Sequence, residues 1–179
     1  MTQPEAAVEI FDVVDEADRV VGMATRAEVH ARKLRHRAVY VFLFNARGEL
    51  FVQRRSATKD TFPCHYDSSA SGHLNHGEDY DPCARRELQE ELGLIVPADR
   101  FRKHFKIDAC EDTGWEFVWV YSVTSDEPPK INLDELESGE FWTPARAKSL
   151  LAAHPEQFAR SFLRIFGEFD RCGLFPSRP

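Results

Sequence analysis

The chain has 179 residues, 42% hydrophobic and 30% charged, with a net charge of −7. That is enough apolar material for the core of one ordinary globular domain spanning 1–179, and too much for a disordered chain. An acidic balance argues against sequence-independent binding to a nucleic-acid polymer, which rests on basic surface, while it suits a site for divalent cations.

In chain order, 8–14 reads as a strand, Asp15 to Asp18 as a polar turn, and Val20 to Met23 as a returning strand. Residues 38–45 are continuously apolar, as in a strand buried on both faces. Asn45 to Gly48 reads as a hairpin loop and 49–55 as its partner strand. Residues 61–77, with Pro, Gly, Ser, Asn and His, read as one long loop. Residues 79–92 form the clearest helix, with Pro82 near its start and Gly93 just past its end. Two strands follow at 101–109 and 115–124, then a break at Pro128 and Pro129. Trp142 closes a short extended piece, and a helix starts at 144–152. Phe158, Phe162, Ile165, Phe166 and Phe169 share one face of a C-terminal helix over about 156–170. This order fits an α/β fold with helices packed against a mixed sheet.

No apolar run approaches the length of a membrane span, and Met1 to Ala6 lacks the pattern of a signal peptide. Cys64, Cys83, Cys110 and Cys172 have no zinc-like spacing. They read as reduced thiols of a cytoplasmic protein.

The chemistry concentrates in Gly72 to Leu94, GHLNHGEDYDPCARRELQEELGL. Glu87 and Glu91 share a helix face and Glu90 lies beside them. Clustered carboxylates repel one another, so either the face is solvated or a cation sits there. Hard oxygen ligands select Mg²⁺ or Mn²⁺. Arg86 offsets part of the charge or orients a carboxylate.

Gly72, then Glu78, then Arg86-Glu87-Leu88-x-Glu90-Glu91-x-Gly93-Leu94 fills every fixed place of the Nudix box, so the chain resembles the Nudix hydrolases. The resemblance implies a Nudix α/β/α sandwich, a mixed β-sheet packed between helices. It implies Mg²⁺- or Mn²⁺-dependent cleavage of a diphosphate bond in a small-molecule substrate, usually a nucleoside diphosphate linked to another group. By position, Glu87, Glu90 and Glu91 resemble the metal ligands, with the Gly72 carbonyl as a further one. Glu78 resembles the outer glutamate that holds the motif, and Arg86 the arginine that orients a ligand. The general base varies in such enzymes; it lies in the box helix or in a later loop, where Glu135 and Glu137 are candidates. Dimers are common in the family, so a homodimer stays open.

Outside the box, Val8 to Trp142 resembles the branch that includes type 1 isopentenyl-diphosphate isomerase. HRAVYVFLFNARGELFVQRRSATKDTFP and Ser71-Gly72-His73 carry this likeness. It implies a second metal site at His30, His36, His73 and Glu116, suited to Mn²⁺, Fe²⁺ or Zn²⁺. The alternative is structural or surface histidines. Arg55 and Lys59 resemble a diphosphate-binding pair, and Arg26 a basic residue ahead of the first histidine. Ser71 stands where the isomerase has its catalytic cysteine, and the box here keeps its full acidic set. A hydrolase on an isomerase-like scaffold is therefore expected; an isomerase acting on prenyl diphosphates and a non-catalytic Nudix binding module are the alternatives. Phe62, Tyr66, Trp115 and Trp119 are candidates for stacking on a base or for lining the core, with Trp119 favoured for the core.

Overall fold

A computed structural model describes residues 8–176. The reading of Met1 to Ala6 lies outside them, as do the last three residues of the 1–179 span. In chain order the elements are β1 (Ile10–Val14), β2 (Val20–Thr25), α1 (Arg26–Arg32), β3 (His36–Phe44), β4 (Leu50–Arg55), β5 (Tyr66–Asp67), β6 (Ala70–His73), α2 (Tyr80–Leu92), β7 (Arg102–Ile107), β8 (Glu116–Thr124), β9 (Leu136–Trp142), α3 (Pro144–Ala153) and α4 (Arg160–Arg171).

The continuous apolar run of β3 is explained by what covers it. Ala38, Tyr40, Phe42 and Phe44 face one core, filled by Ala147 of α3, Phe158, and Phe162, Ile165, Phe166 and Phe169 of α4. Val39, Val41 and Leu43 face the other, filled by Cys83, Ala84, Leu88 and Leu92 of α2. Successive strand residues point to opposite faces, so a strand with helices on both sides has no polar position to spare. The result is the mixed sheet between helical layers expected from the sequence.

β3 is the sheet's spine. It pairs in parallel with β8 along its whole length, from His36 opposite Glu116 to Phe44 opposite Thr124. On its other side Ala38 to Val41 pair with β6, antiparallel. β7 extends the sheet beyond β8, and β4 carries β5 and β9. β1 and β2 form a separate hairpin.

Two expectations are corrected, and one helix was not foreseen. The stretch 61–77 is not one loop: it contains β5 and β6. Its Ser- and Gly-rich composition gives little local strand preference, and pairing to β3 and β4 supplies the order instead. The C-terminal helix starts at Arg160, not near 156, because Pro155 to Gln157 form a 3₁₀ turn and Phe158 is extended. Phe158 still packs in the core, but from the segment before the helix. Helix α1 was not anticipated. Its signal was present in Thr25-Arg-Ala-Glu28: the Thr25 side chain caps the Glu28 amide and Glu28 returns a bond to the Thr25 amide.

Candidate active site

Helix α2 begins after Asp79 and ends at Gly93, whose left-handed backbone (φ 66°) closes it. Cys83, Ala84, Leu88 and Leu92 anchor it to the sheet. That anchoring fixes Glu87 and Glu91 inward; both are buried, while Glu90 is exposed. β6 runs against this helix with a residue that has no side chain. A Cβ at Gly72 would meet the Glu87 carboxyl group at 2.1 Å. Glycine is what allows the carboxylate to lie on the strand's backbone.

Arg86 ties the motif together. Its Nε and Nη2 donate to Glu78 at 2.9 and 2.7 Å. Nη1 donates to Glu87 at 2.5 Å and Glu90 at 3.0 Å, and Nη2 also reaches the His73 carbonyl at 3.0 Å. Glu91 accepts from Gln53 Nε2 at 2.9 Å. Gln53, on β4, was not anticipated; its polar side chain inside an apolar strand was the available signal. Burial pushes the Glu87 carboxyl up to about 7. Burial and the neighbouring Glu87 push Glu91 up to about 8. In both, burial outweighs the lowering effect of the nearby cations, Arg86 for Glu87 and Lys59 for Glu91.

One cavity of about 460 Å³ gathers most of the anticipated residues. Glu87, Glu90, Glu91, Gly72, Arg86, Glu135, Arg26, Arg55, Lys59, His30, His73 and Glu116 all line it. Arg55 donates to the buried Asp67 at 3.0 Å, and Lys59 pairs with Glu135. Arg26 bridges Glu9 at 2.9 Å and Asp60 at 3.4 Å. Glu78 supports the motif through Arg86 rather than lining the cavity. Glu137 also lies off the wall: it sits in β9 and pairs with Arg54 at 3.4 Å. Of the aromatic candidates Phe62 lines the cavity. Tyr66 and Trp119 pack against the two cores, with Lys103 over the Trp119 ring, and Arg35 lies over Trp115.

A second cluster adjoins the first through β6. Ligand nitrogens of His30, His36 and His73 lie within 4.8 Å of one another. Among the described residues this is the one group of three His, Cys, Asp or Glu side chains converging so closely. The box glutamates do not converge in this way, because Glu87 and Glu90 share Arg86 and Glu91 turns to Gln53. His36 and Glu116 open β3 and β8 side by side. His36 Nδ1 bonds the Leu34 carbonyl at 2.9 Å. Its Nε2 is 3.6 Å from Glu116, too far for a hydrogen bond, and is buried without a partner, as is His30 Nε2. His73 Nε2 is 2.9 Å from Glu116. Burial lowers His73 and, with its two histidine neighbours, brings His30 down to about 4. Burial would raise Glu116, but the facing imidazoles outweigh it and hold the carboxyl well below the usual range. Imidazole nitrogens beside a carboxylate are a cation-ligating set, and two buried nitrogens without partners fit one.

The NUDIX domain family model matches residues 34–164, which takes in the box glutamates, His36, His73 and Glu116 but not His30. The chain belongs to the Nudix family. A Nudix hydrolase of Streptomyces coelicolor is 43% identical over 128 residues, covering 70% of this chain and 71% of the relative. A Nudix hydrolase of Deinococcus radiodurans is 36% identical over 145 residues, covering 81% and 85%. The crystal structure of DR0079 from Deinococcus radiodurans superposes with a TM-score of 0.78 at 32% identity, covering 92% of this chain and 99% of that one. With this kinship and a complete box, the protein is a Nudix pyrophosphohydrolase. Among the described residues no helix is long and apolar enough to cross a membrane.

Proposed function

We propose that this Nudix hydrolase cleaves the diphosphate bond of a nucleoside diphosphate linked to another moiety, or of a related small organic diphosphate, with Mg²⁺ or Mn²⁺. The observation that carries the reading is the placement of Glu87 against Gly72, with Glu90 and Glu91 on the same cavity wall. Three carboxylates and Glu78 outnumber the one guanidinium among them, so the donor set fits a hard divalent cation. When bound, the cation neutralises the bridging phosphates and makes water nucleophilic near pH 7. Arg55 and Lys59 grip the phosphate oxygens, Arg55 with a fork held in place by Asp67. A cavity carboxylate takes the water's proton. Glu135 is the loop candidate, since it lines the cavity and Glu137 does not; a box glutamate is the other.

His30, His36, His73 and Glu116 are read as a second site, for Mn²⁺, Fe²⁺ or Zn²⁺. Their geometry is the feature that favours an isomerase acting on prenyl diphosphates. Against that reading stands Ser71, which lines the same cavity: a hydroxyl is a far weaker acid than the thiol such chemistry uses. The four free cysteines fit a reducing, cytoplasmic setting.

The test is a panel of diphosphates with Mg²⁺ or Mn²⁺, read for phosphate release and for prenyl isomerisation. Glu90→Gln and Glu91→Gln are expected to lose hydrolysis while keeping the wild-type circular dichroism. Activity surviving both changes would overturn the metal-site reading. Isomerisation without phosphate release would establish the isomerase instead.

A further inference from the structure

Strand β1 belongs to the separate two-stranded sheet, yet it carries a buried acid, Asp12, that neither the metal ligands nor the phosphate contacts involve. A carboxylate out of water is costly unless its oxygens are hydrogen-bonded. Both oxygens of Asp12 are used, and both reach the same place. Oδ1 lies 2.6 Å from His76 Nδ1, and Oδ2 accepts from the Gly77 amide at 3.2 Å. An ionised carboxylate only accepts, so the His76 ring donates from Nδ1. The His76 amide in turn donates to the Ile10 carbonyl at 2.8 Å. β1 is thus bonded to two consecutive residues of the box.

Those residues are the middle of a turn. The Glu78 amide donates to the Asn75 carbonyl at 2.9 Å, and Gly77 takes the left-handed backbone (φ 75°) that such a turn places at its third residue. The Glu78 carboxylate folds back to accept from the Asn75 amide at 3.0 Å. Asn75, His76 and Gly77 are exposed, so hydrogen bonds rather than packing hold this turn. From it both Glu78 oxygens reach Arg86, whose Nη1 holds Glu87 and Glu90. A continuous chain of polar contacts therefore runs from Asp12 to two of the box carboxylates.

We propose that Asp12 and His76 are positioning residues for the box. They clamp the turn that places Glu78, and through Glu78 and Arg86 they set the Glu87 and Glu90 carboxylates for the cation. This role rests on the metal-dependent hydrolase reading. An imidazole that faces solvent adds little to net stability through its ion pair, so the effect falls on cation affinity rather than on folding.

The exposed histidine is the place to cut the clamp without opening the core. His76→Ala removes the donor, whereas His76→Asn keeps an N–H at the same distance along the side chain as Nδ1. His76→Ala is expected to raise the Mg²⁺ concentration for half-maximal hydrolysis roughly 3- to 10-fold, the worth of one such hydrogen bond. Its kcat at saturating Mg²⁺ and its Tm should stay close to wild type, and His76→Asn should match wild type in all three. A half-activating concentration unchanged in His76→Ala, or raised equally in both variants, overturns the proposal. A second arm needs neither turnover nor cation: the solvent exchange of the Arg86 Nε–H, which donates to Glu78, followed by heteronuclear NMR. Exchange is expected to quicken in His76→Ala and not in His76→Asn; exchange unchanged in His76→Ala overturns the clamp. If wild type hydrolyses no diphosphate, the hydrolase reading fails and this arm alone decides.

Discussion

Gly72 and Glu87 share one space: the carboxyl group of the helix residue occupies the volume a side chain on the strand would need, 2.1 Å from an ideal Cβ. The methyl group in Gly72→Ala therefore expels the carboxylate from the position the cavity gives it. Displacements of this size at a reacting centre cost about 100-fold in rate. Gly72→Ala is expected to lower kcat/KM for the best substrate by about that factor. Raising the Mg²⁺ concentration should recover part of the loss, because the first effect falls on cation affinity. Steady-state kinetics across a metal titration check this, and unchanged kinetics would mean that Glu87 is not a ligand.

The histidine cluster predicts a metal content distinct from the Mg²⁺ requirement. Protein purified without chelator, or reloaded after chelator treatment, is expected to retain one Mn²⁺, Fe²⁺ or Zn²⁺ per chain. His36→Ala is expected to retain none. Elemental analysis after gel filtration reads both. An unchanged content in His36→Ala, or no bound transition metal in the reloaded wild type, would return these residues to a structural role.

Asp18 gives a pH prediction for the fold. It sits at the turn between β1 and β2 and accepts from Arg37 at 2.6 Å, Tyr80 at 2.9 Å and Lys106 at 2.5 Å. Burial alone would raise its pKa, but these donors lower it below the ordinary 3.8. A depressed carboxylate pKa stabilises the fold fully above the unfolded value and loses that contribution as pH falls through the folded one. Asp18→Asn is therefore expected to cost about 2 kcal/mol at pH 7. The gap from wild type should close on acidification below about pH 4. Denaturant melts at a series of pH values measure it; a gap independent of pH would remove the charge from the explanation.

Phe169 tests the packing of α4. It is fully buried, with its ring 4.7 Å from Phe42 and 5.1 Å from Phe175, centre to centre. Phe169→Ala is expected to cost about 3–5 kcal/mol, a cavity as well as lost contact. An unfolding transition shifted by less than 1 kcal/mol would place α4 outside the cooperative core.

The parts of this architecture legible in the sequence are those where local pattern and tertiary use agree. The apolar run of β3 announced burial on both faces, and the spacing of Glu87, Glu90 and Glu91 announced three carboxylates on one side of a helix. What stayed hidden depends on distant partners. β6 has little strand character of its own and exists because Ala38 to Val41 offer it a ladder. Glu135 and Glu137 are two residues apart in a similar setting, yet only one faces the cavity, because Glu137 is drawn into β9. Gln53 and Ser161 belong to no motif; only folding brings them beside Glu91 and Tyr40.

The pairing of β3 with β8 carries a consequence for assembly. His36 and Glu116 are neighbours across a parallel ladder, but the intervening chain holds the whole of α2. Parallel pairing over such a separation pays its loop-closure entropy before any contact repays it. During synthesis, the histidine cluster cannot close until Glu116 has left the ribosome, whereas Arg86 meets Glu78 within a few residues. The imidazole half of the cavity is therefore complete only once the strand that carries Glu116 has been made.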